Sequence, residues 1–286
     1  MWYHKNMDGI ILVRKPQGIT SHDLVQHVRR ILNTKKIGHT GTLDPLASGL
    51  MMLTIGKCTK LLPFIVEHSK EYIAELELGY STDTQDCTGE VKERKDIVPF
   101  TKEDVLRVFT DMTGPQLQVP PMYSSKKVNG QKLYDLARKN IEIEREAVPI
   151  EISELELMDL NSNIIRFRVR CSAGTYVRVL CSDIAFKLGN LGVMKSLVRT
   201  AIDTYRIEEA FDEDDLRNGN YKLLTAYDVL KKYRYIEAEN VDDIKNGKNI
   251  ILDCSEDTVI ITHGDEVLAA YERDRDNIFI CRRGLW

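Results

Sequence analysis

Twelve consecutive residues hold most of the chemistry this sequence offers. Gly38-His39-Thr40-Gly41-Thr42-Leu43-Asp44-Pro45-Leu46-Ala47-Ser48-Gly49 sets a carboxylate, an imidazole and three glycines in one loop. Taken alone, these residue types leave several readings open. An Asp-Pro pair is ordinarily a turn former, because the aspartate bonds neighbouring backbone and proline pre-sets the next dihedral. A lone histidine is ordinarily surface. The phosphate cradle G-x-x-x-x-G-K-[ST], the zinc-binding H-E-x-x-H and the nucleophile elbow G-x-S-x-G are all absent, which removes the familiar mononucleotide and hydrolase signatures.

The elements that must carry this loop are legible on either side of it. Residues 9–14 (GIILVR) read as a buried strand, ended by a turn at Lys15-Pro16-Gln17-Gly18. Thr20 or Ser21 can cap the helix that follows, with Leu24, Val25, Val28, Ile31 and Leu32 at helical spacing. Residues 36–48 read as a loop. From Glu71 to Gly79 the chain alternates, with Tyr72, Ala74, Leu76 and Leu78 on the apolar side, where an aromatic is ordinarily packing. Thr101 opens a capping-box helix through Met112 that Gly114-Pro115 stops, and residues 131–139 read as helical. Residues 164–171 set Ile165, Phe167, Val169 and Cys171 against Arg166, Arg168 and Arg170, one greasy and one cationic face. Tyr176 to Leu188 returns to helical spacing; Asp212 to Asp215 makes an acidic patch, and Thr225 caps a further short helix. Beyond Tyr233, short runs at 234–238, 249–253, 258–262, 267–271 and 277–281 are spaced like strands of a small β-barrel. Domains are expected at 1–230 and 231–286.

Length and composition, with 43% hydrophobic and 29% charged residues, predict a folded chain of about two domains. No apolar run approaches the roughly 18 residues of a membrane helix, and the opening Met-Trp-Tyr-His-Lys-Asn lacks the apolar core of a signal peptide. The expectation is a cytoplasmic protein with no membrane partner. Six cysteines (Cys58, Cys87, Cys171, Cys181, Cys254, Cys281), none in a C-x-x-C pair or spaced with histidine, argue against a zinc site and a disulfide framework. The net charge of −4 speaks against a nucleic-acid partner until it is resolved by segment. Residues 1–60, 121–140 and 161–200 carry +6, +4 and +6, while 61–120, 141–160 and 201–286 carry −6, −6 and −8. The basic stretches could fold into one positive face for a phosphate backbone, with the acidic ones turned outward; ordinary solvated surface is the alternative.

The loop around Asp44 closely resembles the catalytic motif of the TruB family of tRNA pseudouridine synthases, G-H-T-G-x-L-D-P-x-A-x-G. The resemblance continues upstream in Lys15-Pro16-Gln17-Gly18-Ile19-Thr20-Ser21. Downstream it runs through Lys70-Glu71-Tyr72-Ile73-Ala74, Gly79-Tyr80-Ser81-Thr82-Asp83-Thr84 and the stretch from Pro120 to Gly130. Gly174-Thr175-Tyr176-Val177-Arg178 resembles the family's G-T-Y-[IV]-R, and Ser196-Leu197-Val198-Arg199-Thr200 its L-x-R-T stretch. The departures are Ser125 where alanine is usual, Asn140 where glycine is common, and Val198 where a second arginine is often found.

The resemblance implies an α+β fold, a mixed and mainly antiparallel sheet flanked by helices, followed by a small PUA-like RNA-binding barrel to which Ile244-Lys245-Asn246-Gly247 is similar. Residues 234–286 are acidic, so the β-rich fold of this segment is better supported than RNA contact. The implied activity is isomerisation of uridine at tRNA position 55, in the T-stem-loop, by a protein that need not be more than a monomer. Breaking the uracil N1–ribose bond and remaking it at C5 involves no net oxidation and no donated group, so no cofactor and no metal are expected. By resemblance Asp44 is the catalytic carboxylate, attacking ribose C1′ or the uracil ring or stabilising charge as the base detaches. To stay ionised in a water-poor pocket it needs a nearby cation, for which Arg178 is the candidate. Tyr72 would stack on the extruded uracil, Leu197 would wall the pocket and His39 would brace the gap left by the flipped base. Lys15 and Lys126-Lys127 would meet phosphates. A different class, a non-catalytic tRNA-binding or RNA-folding module, would use the same basic face; a carboxylate-based nucleoside hydrolase ranks below both.

Overall fold

The computed structural model describes residues 7–65, 69–124, 126–128, 130–139 and 141–286, without the side chains of Lys127 and Lys132. The opening hexapeptide, Ser125, Asn140 and the Lys127 side chain thus lie outside the described residues. The chain is α+β. Its larger sheet is built from β1 (Gly9–Lys15), β2 (Ile37–His39), β3 (Ser48–Ile55), β4 (Ser69–Leu78), β5 (Gly114–Gln118), β6 (Val148–Asn161), β7 (Ile164–Ser172), β8 (Gly192–Ile202) and β9 (Tyr205–Arg206). The strands run in the order β1-β3-β8-β4-β7-β6-β5, with β2 paired to β3 and β9 to β8. All pairs are antiparallel except β3 with β8. Gly49 permits that parallel contact: its φ is +112° and a Cβ there would lie 2.3 Å from the Arg199 carbonyl oxygen.

The expected helices form where their caps lie. Thr20 and Asp23 close a capping box on α1 (Ser21–Ile31), Thr101 and Asp104 another on α2 (Lys102–Asp111), and α3 (Val177–Lys187) follows Tyr176. The acidic patch at 212–215 is itself a cap: Asp212 accepts from the amides of Asp214 and Asp215 and opens α4 (Glu213–Asn218). The 36–48 stretch is not all loop, because Ile37 to His39 add β2 to the edge of β3. The long strand β6 lies where the sequence reading had no element.

Burial divides the sheet. On β1 and β3 both faces are covered: Ile11, Val13, Met51 and Leu53 join the core beneath α1 and α3, while Ile10, Leu12, Leu50 and Met52 join a second cluster with Ile260, Val267 and Ala270. Those last residues belong to a five-stranded sheet of β10 (Arg234–Glu237), β11 (Ile250–Ile251), β12 (Thr258–His263), β13 (Glu266–Arg275) and β14 (Ile278–Gly284), ordered β10-β12-β13-β14-β11. It is an open, curled half-barrel of the PUA-like kind that the resemblance implied. On β4 and β7 only one face is covered, so apolar residues alternate with charge. Among the described residues no helix is long and apolar enough to cross a membrane.

The alternation corrects the charge reading. Arg166, Arg168 and Arg170 on β7 lie opposite Asp159, Glu156 and Glu154 of β6, and Arg166 and Arg170 also lie opposite Glu75 and Glu71 of β4. Arg168 bonds Glu156, and Arg170 reaches Glu71 of β4 at 3.4 Å. The acidic runs supply counter-charge to the basic one.

Candidate active site

Asp44 is held by the start of α1 and the turn that precedes it. The buried Ser21 hydroxyl accepts from the Leu43 amide at 2.7 Å and donates to the Leu43 carbonyl at 2.9 Å. Gly18 N–H donates to the Pro45 carbonyl at 2.8 Å. Two motif segments that are separate in sequence are thereby stitched beside the carboxylate.

Opposite stands Arg178, in the first turn of α3. That helix start is fixed by the buried Gln118, whose side chain accepts from the Tyr176 amide at 2.7 Å and donates to its carbonyl at 3.2 Å. Every guanidinium nitrogen of Arg178 is engaged: Nε meets Asp44 Oδ2 at 2.9 Å, Nη1 donates to the Thr84 carbonyl at 2.9 Å and Nη2 to the Tyr123 carbonyl at 2.7 Å. Arg178 is 5% exposed at the side chain and Asp44 41%. The cation is locked in place while the carboxylate keeps an open face. Burial raises the Asp44 carboxyl above the ordinary aspartate range; Arg178 opposes the rise, Asp86 adds to it and Lys15 offsets it.

Asp44 and Arg178 sit on the wall of a cavity of about 250 Å³ with Tyr72 of β4 and Leu197 of β8. Tyr72 and Leu197 are each 7% exposed. Burial raises the Tyr72 phenol, which keeps it neutral. Four of the residues singled out from sequence thus share one cavity. His39 and Lys15 do not line it. His39 ends β2, half-buried, with Nδ1 enclosed and without a hydrogen-bond partner, and burial together with Arg199 lowers its pKa. Lys15 is 1% exposed and donates to the carbonyls of Pro16 at 2.9 Å and Ile19 at 2.7 Å. Its ammonium therefore ties the 15–20 turn instead of pointing outward at a phosphate. Burial lowers it to about 8 against the pull of Asp44.

The sequence reading assigned no role to Lys70, Arg199 or Ser124, which also line the cavity. For the first two a signal existed: Lys70 is two residues from Tyr72 and Arg199 two from Leu197, which on a strand means the same face. The described residues contain no group of three or more His, Cys, Asp or Glu side chains placed to hold a metal ion.

Fold and cavity together define an α+β protein with a carboxylate–guanidinium pair at the mouth of an aromatic-floored pocket. The same fold occurs in a chain of a Cbf5–Nop10–Gar1 complex, with a TM-score of 0.73 at 20% identity over 97% of this chain and 85% of that one. Residues 29–177 match the pattern that defines the TruB family pseudouridylate synthase N-terminal domain. The tRNA pseudouridine synthase B of Clostridium tetani is 42% identical over 229 residues, 79% of each chain. That of Bacillus subtilis is 45% identical over 216 residues, 73% of this chain and 70% of its own. The chain belongs to the TruB family.

Proposed function

We infer that this protein isomerises uridine to pseudouridine in tRNA, and that its target is the T-loop uridine at position 55. The observation that carries the reading is the 2.9 Å Asp44–Arg178 pair at a cavity floored by Tyr72. A uridine in a folded loop must be extruded to reach such a recess, at the cost of unstacking. The flipped base would lie on the Tyr72 ring against Leu197, with ribose C1′ toward the open face of Asp44. Arg178 keeps the carboxylate ionised and oriented, so it meets positive charge developing at C1′ without reorganisation. His39, outside the cavity, would brace the space the base vacates, and Lys15 would act through the turn it ties and its charge on Asp44. The reading extends to a catalytic unit at 1–230, a PUA-like unit at 231–286, and a cytoplasmic monomer.

The experiment is tritium release from tRNA labelled at uracil C5. Stoichiometric release, with loss confined to position 55, is expected. Tight tRNA binding without release would instead favour the non-catalytic module, and free uracil a hydrolase.

A further inference from the structure

Two more cations face the cavity, and the roles above leave them unused. Lys70 and Arg199 are 9% and 1% exposed, and both line it. The strand pairing brings them together from β4 and β8, with Arg199 directly opposite Tyr72. They converge at Gly41 in the Asp44 loop: a Cβ built there would stand 3.7 Å from Lys70 Nζ and 3.8 Å from Arg199 Nη1. Arg199 Nε donates to the Leu50 carbonyl at 2.6 Å, Nη1 to that of Thr42 at 3.3 Å and Nη2 to that of Gly41 at 3.5 Å. Carbonyls solvate a guanidinium without neutralising it. An anion entering the cavity would therefore meet both cations, in a setting where solvent screens them little.

The reaction itself makes such an anion. Whichever atom Asp44 engages first, breaking N1–C1′ leaves the bonding pair on N1, delocalised over O2 and O4. The anion persists until C5 bonds C1′; if Asp44 is attached to C1′ it departs then, C5 loses its proton and N1 gains one. A base lying on Tyr72 has its edge beside the cross-strand neighbour of that ring, Arg199. We propose that Lys70 and Arg199 form a cationic wall that stabilises the detached uracil as an anion, separately from the Asp44–Arg178 pair. The proposal rests on the pseudouridine-synthase reading. Phosphate is the other anion of an RNA, but it stays with the strand outside, whereas these cations are almost wholly enclosed.

The test is steady-state kinetics of Lys70→Met with tRNA at two salt concentrations, on full-length protein whose circular dichroism matches the wild type. Expected are a fall in kcat of about 100-fold, KM within about threefold, an unchanged salt slope, and recovery of most activity in Lys70→Arg. A kcat within threefold of wild type would overturn the proposal. So would a loss confined to KM with the salt slope reduced by about one, the mark of a phosphate contact. Lys70→Gln, which keeps part of the stem and a donor but removes the charge, gives the same readout if the methionine variant does not fold. Inactive wild type sinks the activity reading; active wild type with an equally active Lys70 variant sinks only this inference.

Discussion

Strands β4 and β7 carry charge on one face and frame the cavity on the other, and the two faces treat charge in opposite ways. Outward, Glu77 meets Lys195 at 3.2 Å, Glu71 meets Arg170 and Arg206 at 3.4 and 3.2 Å, and Arg168 bonds Glu156, mostly within reach of water. Inward, Arg178, Arg199 and Lys70 are at most 9% exposed and gather around Asp44. Exposed pairs cost little to make and contribute little, since solvent already screens them. Buried charges are screened little by solvent, so those that line the cavity act strongly on whatever enters it.

The largest effect that would sharpen this contrast is chemical. Asp44→Asn is expected to abolish tritium release by at least about 1000-fold while leaving tRNA affinity and thermal midpoint near wild type; retained turnover would remove the carboxylate from the mechanism. Next comes Arg178→Met, expected to lower kcat about 100-fold. The pH dependence has a definite sign. Asp44 must be ionised, its pKa already lies above the usual value, and Arg178 is what restrains it. The acid limb of kcat/KM should therefore move to higher pH in the variant, and an unmoved limb would break the link between the two residues.

Glu71 lies between the extremes, on the outer face but with its side chain only 10% exposed. Burial alone would raise its carboxyl; hydrogen bonds from Thr200, Arg206 and Arg170, with the Arg206 charge, hold it below the ordinary glutamate range. Its contribution is therefore present above the unfolded pKa and lost as pH falls through the lower folded value. Glu71→Gln should cost about 1–2 kcal/mol at pH 7 by urea denaturation, a deficit that shrinks toward zero as the pH drops below the ordinary glutamate range. The smallest effect is expected at Arg168→Gln, whose side chain is 42% exposed: a change within about 0.5 kcal/mol. A loss of several kcal/mol there would mean that the outer lattice is structural in a way its exposure does not suggest.

Much of this was legible without coordinates. Period-2 alternation on β4 and β7 followed from their single covered face, and Thr20, Thr101 and Thr225 cap helices as their positions suggest. Strand β6 escaped notice because its charges dilute the apolar alternation, and β2 because three residues carry no period at all. For the site, the loop around Asp44 and the block ending in Arg178 identify a family, but a motif states residue order without distance.

Local sequence determined the elements and the residue types of the pocket, since capping, alternation and turn formation act over a few positions. Only the tertiary fold decided who meets whom. It set the Lys15 ammonium on backbone carbonyls and the β7 arginines opposite acids of β6. It also brought Lys70 and Arg199 to one glycine. The physical reason is that Coulomb energy and desolvation depend on separation and burial in space, and strands far apart in the chain set both.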